Sequence, residues 1–244
     1  MNLELAYKKW FAFTNGTVAY EQPYNSFLPI VRKHLTGKKH ILDAACGFKN
    51  RYLETLVAEN SIPLDGLAGI DIDPIVKDKN RLHHTIYVQD IHNPFPVSGF
   101  EAAISLYTWE HLCLPTVALK NFRDALIPGG KLIIIGAQRY CLASTLERMM
   151  PKFVKDLIWR VFQGKPAMPY PTFACCCTSG SLTKAARHSK FRMLHYSTMD
   201  PPPRWFKKVP PVYFIMCLFS ALLNRVPWFR GVRGTFLAVM EKDN

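Results

Sequence analysis

Two short apolar runs of this sequence each end in a carboxylate beside a turn. The run His40–Gly47 carries Asp43, and the run Gly69–Pro74 carries Asp71. If the two runs are neighbouring parallel strands, their carboxyl ends meet at one edge of a sheet, which is where ligands bind in doubly wound folds. The two acids therefore predict a site for a ligand that has a cation at one end and a ribose at the other.

Each acid suits a different part of such a ligand. Asp43 can hold an ammonium group directly or through water, and Gly47 lets the backbone approach a ligand closely. Asp71 is placed to accept hydrogen bonds from both ribose hydroxyls. Asp90, after the third predicted strand, is expected to take a base amino group, with Ile91 packing on the base. The alternative for Asp43 alone is a loop or helix cap, but three acids closing three successive strands favour the ligand site.

The segment after the fourth predicted strand supplies the candidates for catalysis, which are Tyr107, Glu110 and His111. His111 is the best candidate for a general base, since histidines titrate near neutrality. Tyr107, like Trp109 beside it, can turn an aromatic face to a methyl cation. The alternative is that Glu110 and His111 cap the next helix and that the aromatic residues pack. No His or Cys spacing indicates a metal site.

The elements that must position these residues alternate strand with helix, which is typical of an α/β, doubly wound, mostly parallel sheet. Strands are predicted at 38–43, 67–71, 86–89, 101–106, 131–136, 191–197 and 235–240. Helices are predicted at 51–60, 117–126 and 181–188, with another capped by Ser26 and holding Pro29 in its first turn. The Pro128-Gly129-Gly130 segment predicts a tight turn before the fifth strand.

The nearest rival is a dinucleotide oxidoreductase, which requires G-x-G-x-x-G after the first strand and no acid before it. In this sequence Asp43 precedes the position of the motif and Gly47 is the only one of its glycines present, so the sequence does not match a dinucleotide oxidoreductase. The sequence instead resembles the class I S-adenosylmethionine-dependent methyltransferases. The resemblance rests on the Leu42–Gly47, Gly69–Asp71, Val88–Ile91, Glu101–His111 and Leu126–Leu132 segments.

The resemblance implies an enzyme with S-adenosylmethionine as cofactor and a seven-stranded sheet whose last strand is antiparallel. The implied cofactor-binding residues are Asp43, Ala45, Cys46, Gly47, Asp71, Ile72, Asp90, Ile91 and Leu106. Three residues depart from the family pattern: Ala45 and Lys49 stand where glycine is usual, and Glu101 replaces a frequent Asp.

The same resemblance, together with the predicted strands and helices, gives the expected domain organisation. Residues 1–244 are expected to form a single methyltransferase domain. Within it we expect N-terminal helices at 1–36, a cofactor-binding core at 37–137, and helical insertions at 138–179 and 200–231, before and after strand six. These insertions would face the substrate or a membrane as a lid.

Charge divides the chain into two unequal halves. Residues 1–137 carry 14 Lys/Arg and 13 Asp/Glu, whereas residues 138–244 carry 17 and 5, out of a net charge of +13. The basic half indicates an anionic partner such as lipid headgroups, nucleic acid or an acidic metabolite. The alternative is a solvated Lys-rich surface. The N-terminus carries no secretory signal pattern, and the seven cysteines favour packing, so a cytoplasmic location is expected.

The acceptor is expected to come from this basic half. Val212–Leu223 is an apolar run with cationic flanks, Arg204, Lys207 and Lys208 before it and Arg225, Arg230 and Arg233 after it, and with the aromatic residues Trp205, Trp228 and Phe229 nearby. It falls short of the ~20 residues that span a bilayer, and its flanks suit a membrane interface. We therefore expect methyl transfer to a small or lipid-like acceptor. The alternatives are a packed lid helix or dimer contact at this run, an RNA methyltransferase, and a catalytically silent cofactor-binding adaptor.

Overall fold

The computed structural model of the protein describes residues 23–163, 171–202 and 210–243. The elements, in chain order, are α1 (Pro23–Leu35), β1 (Ile41–Ala44), α2 (Arg51–Ala58), β2 (Leu67–Asp71), α3 (Ile75–Lys79), β3 (Thr85–Val88), β4 (Phe100–Leu106), α4 (Pro115–Ala125), β5 (Leu126–Ala137), α5 (Leu142–Met149), α6 (Lys152–Gln163), α7 (Ser179–His188), β6 (Phe191–Met199), α8 (Pro210–Arg225) and β7 (Thr235–Lys242). Two 3₁₀ helices, Trp109–His111 and Pro227–Val232, follow β4 and α8. The predicted helices before residue 23, and the cationic flank of Arg204, Trp205, Lys207 and Lys208, lie outside the described residues.

All seven strands form one sheet in the order β3-β2-β1-β4-β5-β7-β6. The first five strands are parallel, and β7 runs antiparallel to both β5 and β6. The predicted doubly wound, seven-stranded sheet with an antiparallel last strand is therefore confirmed. Strand order reverses between β1 and β4, which is where such sheets bind ligands.

The central strands are buried on both faces because helices cover each side of the sheet. Ile41 of β1 faces the layer of α1 and α2, where it meets Val31 and Leu53. Leu42, the next residue, faces the layer of α4 and α7, which contributes Phe122 and Leu182. This burial on both faces explains why the sequence of β1 is a continuous apolar run. Polar side chains lie instead at the carboxyl ends of the strands.

Some predicted boundaries are wrong. Helix α1 already contains Pro23, so Ser26 lies inside the helix and does not cap it, and Pro29 also lies within it. The predicted turn at Pro128–Gly130 lies within β5, where Gly129 has a φ of +71°. Phe100 pairs with Leu126, but Ala102 pairs with Lys131, so the glycine-containing segment bulges from the strand instead of ending it.

Helix α8 belongs to an insertion that begins and ends at the far edge of the sheet, where Met199 of β6 pairs with Thr235 of β7. Buried Arg233 holds the end of α8 by donating to the carbonyls of Leu223, Asn224 and Val226, at 2.9 Å, 2.9 Å and 3.3 Å. These bonds satisfy carbonyls that a helix leaves without intrahelical partners. Within the described ranges, none of the helices is long and apolar enough to cross a bilayer.

Candidate functional site

The three predicted acids lie along one edge of the sheet. Asp43 is in β1 and pairs in register with Gly69 of β2, and Asp71 ends β2 beside Val88 of β3. Asp90 follows Val88 by two residues. Because β3, β2 and β1 are adjacent and parallel, the structure brings all three acids to the carboxyl edge, next to the reversal of strand order.

The loop after β1 is fixed by hydrogen bonds on both sides of Gly47. Its N–H donates to Asp71 Oδ2 at 2.8 Å, and its carbonyl accepts from Asn80 Nδ2 at 2.7 Å. Asp71 also accepts the N–H of Asp73 through Oδ1 at 2.9 Å. A carboxylate offers about four lone-pair sites, so Asp71 keeps acceptor capacity for two hydroxyls. Ile72, beside it, is exposed.

Ala45 and Cys46 shape the same loop. Ala45 has a φ of +55°, in the left-handed region that favours glycine, and it stands at a position where the resemblance expects glycine. Cys46 is buried. Burial, together with the charges of Asp43 and Asp71, raises the pKa of its thiol well above the ordinary value. Cys46 is therefore a neutral packing group.

Asp90 is the most open of the three acids. Its Oδ1 accepts the backbone N–H of His92 at 2.9 Å and the ring Nδ1–H at 2.8 Å. Burial acts to raise the pKa of Asp90, but the hydrogen bonds from His92 outweigh it and hold the pKa below its ordinary value. Ile91 is buried in the core, and its carbonyl accepts from Asn121 Nδ2 at 2.9 Å.

The end of β4 separates accessible side chains from buried ones. Leu106 is half-buried against the core, and Tyr107 is 49% exposed with a φ of +50°. Trp109, which the sequence suggested as a partner for a methyl cation, is completely buried beside Phe122. The methyl-cation contact expected for Trp109 is therefore wrong, and the alternative that this residue packs is confirmed, because the indole belongs to the core.

Glu110 and His111 fix the segment that follows residue 170. The buried Glu110 accepts the backbone N–H groups of Phe173 and Ala174 through its carbonyl at 2.9 Å and 2.8 Å. The Nδ1 atom of His111 lies 3.0 Å from the carbonyl oxygen of Pro171. A carbonyl only accepts, so Nδ1 carries a proton, and in the neutral ring the unprotonated nitrogen is Nε2. This is the tautomer that a general base requires.

Residues 42–134 match the family model described as a methyltransferase domain. This segment is a methyltransferase domain, in agreement with the resemblance to the class I S-adenosylmethionine-dependent methyltransferases. The match spans the strands that carry all three acids, so the cofactor expected from the resemblance, S-adenosylmethionine, is confirmed as well. No curated protein matches the chain.

Solved structures of low sequence identity share the methyltransferase fold. An S-adenosylmethionine-dependent methyltransferase from Mesorhizobium loti is 16% identical, with a TM-score of 0.53 over 88% of this chain and 96% of that one. Geranyl diphosphate C-methyltransferase from Streptomyces coelicolor is 13% identical, with a TM-score of 0.55 over 89% and 77%. A chain in the complex between the Haloferax volcanii Trm112 methyltransferase activator and a methyltransferase is 13% identical, with a TM-score of 0.56 over 98% and 96%.

The residues of the methyltransferase fit this cofactor at the Asp43 carboxylate. Asp43 is 1% exposed, and its Oδ2 accepts from Asn50 Nδ2 at 2.9 Å. Its other oxygen, Oδ1, is buried and accepts no hydrogen bond from the described residues. A buried carboxylate oxygen without a donor is costly, and an ammonium group or a water bridging to one would satisfy it.

Sequence reasoning missed two residues that lie beneath this loop. His83 has a completely buried side chain whose Nε2 lies 3.0 Å from Asp43 Oδ2. Asn80 joins that histidine to the Gly47 carbonyl. Neither belongs to a recognisable spacing pattern, since both lie in the segment between α3 and β3. The described residues contain no cluster of three or more His, Cys, Asp or Glu side chains placed to hold a metal ion.

Proposed function

We propose that the methyltransferase transfers the methyl group of S-adenosylmethionine to a small or lipid-like acceptor at an anionic membrane surface. The observation that carries this proposal is an exposed apolar stripe on α8. Four residues at helical spacing share that face: Ile215, Leu218, Phe219 and Leu222. We call these four residues the α8 stripe.

The opposite face of α8 is already buried. Tyr213, Cys217 and Ser220 lie there, each almost fully covered. A helix that is apolar on all sides is normally enclosed on all sides, so the α8 stripe is a surface that something outside the described residues should cover. An exposed apolar patch of this kind marks an interaction site.

The charge around the α8 stripe favours an anionic lipid surface as the partner that covers it. Residues 201–240 contain six Lys/Arg and no Asp or Glu. Arg225 and Arg230, at the end of α8 and in the following 3₁₀ helix, are exposed, and Trp228 between them is 94% exposed. Cations and an indole beside an apolar face are the composition of a helix that lies in the headgroup region.

The chemistry supplied by bound S-adenosylmethionine is an electrophilic methyl group. The protein must align an acceptor with it and exclude water, and alignment can contribute about 7–11 kcal/mol to lowering the barrier. Asp43, Asp71 and Asp90 would hold the ammonium, ribose and adenine ends. Ala45, Cys46, Gly47, Ile72, Ile91 and Leu106 would complete the binding site.

His111 is our candidate for the base when the acceptor arrives protonated as a hydroxyl or phenol. Its Nδ1 lies 3.0 Å from the carbonyl oxygen of Pro171, so in the neutral ring Nε2 is the basic nitrogen. Tyr107 lies exposed at the end of β4 and offers an aromatic face. Glu110 acts as a positioning residue, because its backbone holds the segment that carries Pro171.

We assign the same roles to the domain parts as the sequence indicated. Residues 37–137 bind the cofactor, while 138–179 and 200–231 act as the lid or membrane-facing insertions on a single domain. Exposed apolar side chains on α5 and α6 support a second contact area: Met149, Phe153 and Leu157.

Liposome sedimentation of the full chain tests the membrane contact. The wild type is expected to sediment with phosphatidylglycerol vesicles at low salt and to stay in solution with phosphatidylcholine vesicles. Leu218→Glu places a charge in the α8 stripe and should abolish sedimentation. Leu64→Glu is the matched control, since Leu64 is 50% exposed and Leu218 is 48% exposed. Wild type that ignores the anionic vesicles, or a Leu64→Glu variant as defective as Leu218→Glu, would overturn the contact.

A labelling experiment tests the acceptor class. The protein is incubated with methyl-labelled S-adenosylmethionine and a cell extract, and lipid, RNA and small-metabolite fractions are separated. Label in the lipid or small-molecule fraction supports the proposal, whereas label in RNA replaces it with RNA methylation. Cofactor binding without any label would identify a silent adaptor. His111→Asn should slow transfer by about 10²–10⁴-fold, and exposed His188→Asn should not.

A further inference from the structure

His83 joins two parts of the cofactor site that are distant in sequence. Its Nε2 lies 3.0 Å from Asp43 Oδ2, and its Nδ1 lies 3.0 Å from Asn80 Oδ1. Asn80 in turn donates to the Gly47 carbonyl at 2.7 Å. The histidine therefore connects the buried acid of β1 with the loop that follows it, through one amide side chain.

The orientation of the Asn80 amide is fixed by its surroundings. Its Oδ1 accepts the backbone N–H groups of Leu82 at 2.8 Å and of His83 at 3.2 Å, and its Nδ2 donates to Gly47. A flipped amide would place an NH₂ group against two N–H donors. The atom that faces His83 Nδ1 is therefore an oxygen, and Nδ1 must carry a proton.

The other ring nitrogen also faces an acceptor. Nε2 lies within ion-pair distance of the Asp43 carboxylate, although its N–H is not aligned for a regular hydrogen bond. Both ring nitrogens thus face oxygens, and only the doubly protonated imidazolium matches both. A buried carboxylate at this distance needs a compensating charge, since burying it alone is costly.

The strand beneath the ring is shaped to admit it. A Cβ added at Gly69 would lie 3.3 Å from His83 Cγ and 2.8 Å from Cys46 Sγ. Gly69 therefore leaves the space in which the imidazole and the thiol pack over β2. This close approach shows that His83 occupies a built position in the core instead of a chance surface contact.

We propose that His83 is a positioning residue of the cofactor site, whose imidazolium neutralises Asp43 and, through Asn80, holds the Gly47 loop ready for S-adenosylmethionine. The proposal rests on the cofactor and not on the acceptor class. Loss of the ring proton would leave a lone pair facing an oxygen and would loosen the loop. Cofactor affinity should therefore fall when the ring is replaced by a side chain that cannot hold both partners.

The titratable groups that face the ring are few. Asp43 faces it from β1, and the Cys46 thiol faces it from the loop. Burial, with the charges of Asp43 and Asp71, raises the pKa of Cys46, so the thiol is neutral. Asn80, on the remaining side, does not titrate.

Calorimetric titration with S-adenosylhomocysteine tests the proposal. His83→Asn is expected to weaken binding by about tenfold or more, as the loss of a charged hydrogen-bonding partner does. His84→Asn is the matched control, because His84 is the exposed neighbour, whose ring Nδ1 lies 3.2 Å from Thr85 Oγ1. It should bind within about twofold of the wild type.

A second measurement protects the test against a variant that fails to fold. Nitrogen-15 NMR of the wild-type protein should show both ring nitrogens of His83 at imidazolium positions near neutral pH. A neutral-ring pattern there, or a folded His83→Asn variant that binds as tightly as the wild type, would overturn the proposal. Wild-type protein that binds no S-adenosylhomocysteine would overturn the cofactor site itself, which is a distinguishable result.

Discussion

The two halves of the protein use their charged side chains in opposite ways. In the cofactor half, Asp43 and Asp71 point inward and accept hydrogen bonds from Asn50 and Gly47. In the basic half, Arg225 and Arg230 are exposed beside an apolar helix face. The difference teaches that the first half binds its acids to groups of its own loops, whereas the second half leaves cations and an apolar helix face exposed, and the proposed membrane contact rests on that surface.

The largest expected effect comes from replacing a cation of the basic half that is buried instead of exposed. Arg233 is buried in the basic half and donates to carbonyls at the end of α8. Arg233→Met should lower the free energy of unfolding by about 3 kcal/mol, since several buried carbonyls lose a charged donor. Urea unfolding measures it. Arg230→Met, at an exposed position, is the control and should change the free energy of unfolding by less than about 0.5 kcal/mol. Similar losses in both variants would show that the buried position of Arg233 contributes no extra stability.

A second experiment tests the inward acids of the cofactor half. Asp71→Asn should weaken S-adenosylhomocysteine binding by about 10–100-fold, because charge-assisted hydrogen bonds are lost. Calorimetry gives the dissociation constant. Asp78→Asn is the control, since Asp78 is exposed on α3. Unchanged affinity in Asp71→Asn would remove Asp71 from the proposed site.

A smaller effect is expected within the loop itself. Ala45→Gly should raise the free energy of unfolding by about 0.5–1 kcal/mol, because the left-handed backbone costs alanine about 1–2 kcal/mol while glycine adds entropy to the unfolded chain. Ala58→Gly, at the end of α2, should instead destabilise the protein. A destabilised Ala45→Gly variant would show that the alanine methyl contributes packing.

The smallest effect concerns an ion pair on β7. Hydrogen bonds from Lys131 and Arg192 lower the pKa of Glu241 below its ordinary value of 4.5. A lowered pKa contributes stability above 4.5 that is lost as pH falls through the folded-state value. Because the pair is partly exposed, Glu241→Gln should cost only about 0.5 kcal/mol. The melting temperature of the Glu241→Gln variant should fall less steeply than that of the wild type as pH is lowered. Identical slopes would show that the Glu241 carboxylate does not contribute this stability.

The fold and the acid edge were predictable because their signals are local. Each of the first three strands carries its own apolar run and its own acid, so Asp43, Asp71 and Asp90 could be placed by pattern alone. His83 could not, since its partner Asp43 becomes a neighbour only when β1 and β2 pair. Trp109 was misjudged because sequence does not tell which residues after β4 turn into the core. Ser26 was misjudged because α1 accommodates Pro29, a residue that usually marks the first turn.

The pairing of Met199 with Thr235 has a consequence for how this protein can vary. The chain leaves the sheet at Met199 and returns to it at Thr235, and these two residues are paired. The residues between them therefore form an insertion in the connection between two adjacent strands. A tight two-residue connection there would keep the strand ladder while deleting α8 and its basic surroundings. The insertion could therefore change in sequence or length among related chains while the pairing of β6 with β7 is kept.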